Sequence, residues 1–193
     1  MGDDKRDTAK PPASTASRTR TIAYVAMSIA IIAVSAWVTV PIGPVPFTLQ
    51  MFALTFALII LKPKQAIAAI AGYLALGAIG VPVFSGMRGG IGVLMGPTGG
   101  FLWGYFIGIS VAVGVLSLFR GRGIDNYGAC VLCGILFTAI AYACGWFQYM
   151  FVANVGPLES FLVTVAPFIV VDLIKIIAAA AVARIVMRAI PLR

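Results

Sequence analysis

The 193-residue sequence contains no histidine. That absence removes Ser-His-Asp catalysis, histidine-ligated zinc and haem held by an axial histidine. Charge is almost as scarce. Only 10% of the residues are Asp, Glu, Lys or Arg, against about 25% in a soluble domain that must cover its core with ionisable groups. The three cysteines, Cys130, Cys133 and Cys144, are too few for a disulfide framework. No G-x-x-x-x-G-K-[ST] occurs, so the chain has no P-loop with which to hold ATP.

What fills the sequence is apolar: 61% of it, with a mean hydropathy of +1.05. Such a chain has lipid as its solvent, and the reading is an all-α integral membrane protein without enzymatic chemistry. Its net charge of +8 therefore carries no argument for nucleic acid. Apolar runs predict six transmembrane helices at roughly 21–40, 47–61, 65–81, 98–119, 128–152 and 160–189, forming one membrane domain over 21–190. Residues 1–20, polar and carrying Pro11 and Pro12, are expected to be a disordered tail. The run Ile22 to Val40 exceeds the length of a signal-peptide core, so it reads as an uncleaved first helix.

Charge placement orients the segments. With the N-terminus inside, Lys5, Arg6, Lys10, Arg18, Arg20, Lys62, Lys64, Arg120, Arg122, Arg184, Arg188 and Arg193 fall on the inner side. Arg88 alone falls outside, and Lys175 lies within a helix. This positive-inside bias predicts both termini in the cytoplasm.

Punctuation between the runs is informative. Pro41, Pro44 and Pro46 forbid a continuous helix between the first two segments. From Gly77 to Gly104, ten of 28 residues are glycine, in a connection that faces outward. A flexible hairpin needs fewer residues free to take positive φ; a loop folding over a small ligand needs them more. Gly96, Gly100, Gly104 and Gly108 recur every fourth residue, a small face suited to close helix packing. Ala26 and Ala30 form a weaker small face that packs internally or docks a partner.

Asp172 and Lys175 are the first candidates for function. Three apart, they share a helix face, and each costs about 2.5–3.5 kcal/mol at mid-helix in a bilayer. A structural ion pair is one reading; an acceptor and a donor converging on a neutral or amphoteric ligand is the other. Pro167 starts or kinks the helix just before them. Arg88 is the outward cation for an anionic group, and Gln50, Ser85 and Thr98 supply neutral hydrogen bonds. Phe84, Tyr105 and Tyr142 supply apolar or stacking walls, with Gly86 in the same loop as Phe84 and Ser85. Cys130-x-x-Cys133 reads as packing rather than as a redox pair, since no second pair exists to relay electrons.

Four segments in order then resemble one family: Pro44-Val45-Pro46-Phe47-Thr48-Leu49-Gln50; Gly80-Val81-Pro82-Val83-Phe84-Ser85-Gly86; Gly96-Pro97-Thr98-Gly99-Gly100-Phe101 with Gly104-Tyr105; and Pro167-Phe168 with Asp172 and Lys175. They resemble the BioY family, the biotin-binding S components of energy-coupling-factor (ECF) vitamin transporters, over about residues 22–189. The resemblance implies a six-helix S component in the bacterial cytoplasmic (inner) membrane, with biotin as transported substrate and no cofactor. It also implies a transmembrane coupling subunit (T component) and a pair of ABC-type ATPases as partners. On that footing Asp172 accepts from a ureido N–H, and Lys175 donates to the ureido oxygen or the carboxylate. Phe84 backs the fused ring, Arg88 is the candidate for the carboxylate, and loop 82–97 is the lid. An asparagine-type side chain contacts the ureido group in some relatives. Here the loop reads Phe84-Ser85-Gly86, leaving that contact to Ser85 or to another element. The alternatives are a stand-alone secondary transporter with Asp172 as proton carrier, an S component for another vitamin, and a membrane thiol oxidoreductase.

Overall fold

The structure, a computed structural model, describes residues 13–41 and 43–189. Helix α1 (Ala13–Trp37) leads into a two-stranded antiparallel hairpin, β1 (Thr39–Val40) and β2 (Phe47–Thr48), paired Thr39 to Thr48 and Val40 to Phe47. Then follow α2 (Gln50–Ile60), α3 (Pro63–Ala78), the short α4 (Ile91–Met95), α5 (Gly99–Gly121), α6 (Tyr127–Ala153) and α7 (Pro157–Thr164). A 3-10 turn (Ala166–Phe168) precedes α8 (Ile169–Ala189). Exposed Ile, Leu, Val and Phe side chains cover the outside of the helices, as lipid contact requires.

The molecule is an all-α, membrane-spanning helical bundle. Among the described residues four helical stretches are long and apolar enough to cross a bilayer: Ser17–Trp37, α5, α6 and Pro157–Ala189. Three of the six expected helices differ from a continuous bilayer-length helix. Phe47 and Thr48, read as helical, form β2, and α2 retains 11 residues. At 1.5 Å per residue that is about 16 Å, well short of a hydrocarbon core of about 30 Å. The 16 residues of α3 reach about 24 Å. The expected sixth helix is broken, because Pro167 cannot donate the bond that would continue α7 into α8. The helix boundary at the N-terminal side also moves: residues 13–20, expected in the tail, belong to α1, while residues 1–12 lie outside the described residues.

Packing is tightest between α5 and α6. A Cβ added at Gly104 would lie 2.7 Å from the Ala141 Cα, and one at Gly108 would lie 2.8 Å from the Phe137 carbonyl oxygen. Gly100 sits equally close on the Cys144 backbone and Gln148. The glycine face is therefore a helix-packing surface, with Gly96 outside it as the cap of α4. Cys130 and Cys133 are fully buried in the same helical core. Where α2, α5 and α8 come together, Arg120 donates to the Ile59 carbonyl (2.8 Å) and to Asp125 (3.3 Å), and Arg184 donates to the Asp125 carbonyl (2.8 Å) and carboxylate (3.2 Å). The Asp125 carboxylate thereby ties α5 to α8, and Arg120 ties α5 to α2, at the end remote from the hairpin.

Candidate functional site

At the hairpin end, where α4 and the 3-10 turn before α8 also lie, the chain builds a cleft. The hairpin is tied to the loop after α3 by Trp37, whose indole N–H donates to the Pro82 carbonyl (2.8 Å), and by the Thr39 and Ser85 hydroxyls, 3.2 Å apart. The loop folds back on its own helix because Gly77 has no Cβ: the Phe84 ring occupies that space. Gly86, at φ +69°, turns the chain so that Phe84 and Arg88 exchange backbone hydrogen bonds of 2.9 and 3.3 Å. Gln148 on α6 fastens α4 from behind, donating to the carbonyls of Leu94 (2.9 Å) and Gly96 (2.8 Å).

The cleft holds about 60 Å³ of free volume and opens to solvent. Nine of the ten candidate binding residues line it: Gln50, Phe84, Ser85, Arg88, Thr98, Tyr105, Tyr142, Asp172 and Lys175. They come from α2, the loop after α3, α5, α6 and α8. Gly86 is not on the lining and acts only through the turn. Ala26 and Ala30 lie far along the chain's first helix, exposed on its outer face.

The polar centre of the cleft is built on Asp172, which is 3% exposed and lies in the first turn of α8, where the helix dipole favours a negative charge. Its Oδ1 accepts from the Lys175 ammonium at 2.7 Å, and its Oδ2 accepts from the Tyr142 hydroxyl at 2.7 Å. Lys175 also donates to the Thr48 carbonyl oxygen of the hairpin at 2.8 Å. The carboxylate keeps lone pairs, and the ammonium keeps one N–H, for a further partner. Around this centre stand aromatic walls. Phe168 stacks on Phe47 with centroids 4.3 Å apart, and Phe101 meets Tyr142 edge-on at 6.4 Å. Arg88 is exposed at the rim, its Nε donating to the Ser85 carbonyl at 3.1 Å. Asp172, Lys175 and Arg88 give the lining a formal charge of +1. That suits a ligand with an apolar body, a neutral polar head and one anionic end.

Thr48, Phe101 and Phe168 also line the cleft, although they were not singled out as ligand contacts. Thr48 contributes a backbone carbonyl, which no side-chain inventory shows. Phe168 reads as core in an apolar helix until the 3-10 turn at Pro167 rotates it toward the hairpin.

Comparison with known proteins places this architecture. The sequence pattern described as the BioY family matches residues 7–192. The chain belongs to the BioY family. A "Biotin transporter BioY" of Thermotoga maritima is 38% identical over 80% of this chain and 88% of its own length. A "Probable biotin transporter BioY" of Pyrococcus horikoshii is also 38% identical, over 82% of this chain and 90% of its own. A crystal structure of the S-component for biotin from an ECF-type ABC transporter superposes with a TM-score of 0.83 at 26% identity, covering 90% of this chain and 93% of that one. BioY proteins are transport components rather than catalysts. In this BioY chain, no group of His, Cys, Asp and Glu among the described residues is placed to hold a metal ion.

Proposed function

We propose that this chain captures biotin at the outer face of a bacterial inner membrane, as the substrate-binding S component of an ECF-type transporter. The observation that carries the reading is Asp172, a buried carboxylate in an aromatic-walled cleft, charge-paired to Lys175 and open to one more donor. Biotin's ureido ring presents two N–H donors and one carbonyl acceptor, and its valerate ends in a carboxylate. Asp172 accepts from a ureido N–H, with Tyr142 holding the carboxylate in position. Lys175 donates its remaining N–H to the ureido oxygen. The fused ring lies against Phe84 and Phe168, and Arg88 at the rim meets the valerate carboxylate. Charge-assisted hydrogen bonds in so dry a site are stronger than in water.

The finer topology belongs to the same reading. Six membrane segments, two of them short, with both termini cytoplasmic, agree with the twelve inner-side Lys and Arg residues and with a cleft opening at the opposite end. Lacking a P-loop, the chain depends on an ABC-type ATPase pair, reached through a transmembrane T component; Ala26 and Ala30 on the exposed face of α1 form its docking surface.

Equilibrium binding of labelled biotin to the detergent-purified chain, with no partner present, tests the capture role. Saturable binding that resists competition by riboflavin and thiamine is expected. A folded chain that ignores biotin, or exchanges it for another vitamin, overturns the reading.

A further inference from the structure

Tyr73 on α3 is completely buried and stands behind the cleft wall, not on it. Its hydroxyl lies 3.0 Å from the Val83 carbonyl oxygen and 2.9 Å from the side-chain amide of Gln50, which does line the cleft. We infer that Tyr73 is a positioning residue that fixes the polarity of Gln50, so that the Gln50 carbonyl oxygen faces the ligand and reads an N–H donor. This rests on the proposed binding of a cyclic urea and adds a second acceptor to the site.

The argument is one of proton counting. A tyrosine hydroxyl has one proton to give, and a backbone carbonyl can only accept. The Tyr73 proton therefore goes to Val83. Whatever part of Gln50 faces Tyr73 must then be a donor, which makes it Nε2. The flipped amide would set a carbonyl oxygen against a hydroxyl lone pair inside the protein, where an unmade hydrogen bond is costly. With Nε2 committed behind the wall, the planar amide turns Oε1 the other way. Among the described residues no protein donor reaches that oxygen, nor is it a sealed, unsatisfied atom. The same hydroxyl also holds the backbone just before Phe84. Tyr73 thus fixes the aromatic wall and the neutral acceptor together. Asp172 and the Gln50 oxygen provide two acceptors, one charged and one neutral, for the two N–H groups of a ureido ring.

The test uses the full chain in detergent, biotin, and two analogues methylated on one or the other ureido nitrogen. Wild type, Tyr73→Phe, Gln50→Leu and the double variant are titrated with all three. Tyr73→Phe is expected to weaken biotin roughly tenfold, as loss of one oriented hydrogen bond does. It is also expected to shrink the penalty for methylation at one nitrogen only, and to add nothing further in the Gln50→Leu background. Equal weakening for biotin and both analogues would mean a purely structural tyrosine and overturns the inference. If Tyr73→Phe does not fold, Gln50→Leu decides alone: unchanged discrimination between the analogues overturns it. A wild type that binds none of the three overturns the biotin reading and this inference with it; a wild type that binds while Gln50→Leu keeps full selectivity overturns only the latter.

Discussion

Asp172 and Lys175 each hold partners outside their own pair, and this separates them from a simple structural ion pair. Asp172→Asn keeps the shape and an acceptor oxygen but removes the charge that Lys175 and Tyr142 are built around. A hydrogen bond to a charged group contributes about 1.5–3 kcal/mol, so biotin affinity is expected to fall about 10- to 150-fold in equilibrium binding. Lys175→Met takes away both the partner of Asp172 and the clasp on the Thr48 carbonyl. It is expected to leave a carboxylate buried with only Tyr142, and to lower thermal stability as well as affinity. Ser85→Ala removes the hydroxyl facing Thr39 while sparing the centre of the cleft. Its expected signature is faster biotin release with little change in melting temperature, read by stopped-flow dissociation.

At the scale of elements, the α5–α6 contact and the break before α8 do different work. α5 carries glycine where α6 brings Ala141, Phe137 and Cys144 close, and the absence of side chains allows the helix backbones to approach. Gly104→Val forces atoms into the Ala141 backbone, and overpacking of this kind costs about 1–3 kcal/mol. A clear drop in melting temperature in detergent, larger than for Gly114→Val on an open face of the same helix, is the expected result. The break at Pro167 instead serves the site. It rotates Phe168 toward Phe47 and starts α8 afresh, so that Asp172 falls in a first turn.

The whole molecule has a cleft at one end and a cluster of charged contacts at the other. The hairpin, the aromatic walls and Arg88 gather at the cleft; Lys62, Lys64 and the Arg120–Asp125–Arg184 clasp gather at the other end. If the cleft faces outward, Met87→Cys in the exposed loop reacts with an impermeant maleimide in intact cells, whereas Lys64→Cys reacts only after the membrane is opened. The reverse pattern would invert the protein in the membrane and separate the cleft from external biotin.

Hydropathy and the ordered motifs were enough to indicate a membrane bundle and most of the cleft-lining residues, because each depends on local composition or on close sequence neighbours. Asp172 and Lys175 were legible for the same reason: charge in an apolar run is conspicuous, and a spacing of three puts both on one face. The number of bilayer-length helices was not legible. Apolarity measures length in residues, whereas Phe47 and Thr48 are drawn into a hairpin by pairing with Thr39 and Val40. Nor did any local signal point to the Lys175–Thr48 contact, which joins residues 127 apart, or to Tyr73, whose hydroxyl gains meaning only between Gln50 and Val83. Composition and spacing decide which groups must avoid lipid. Which of those groups meet is decided by tertiary packing, since a hydrogen bond forms only where folding brings a donor within about 3 Å of an acceptor.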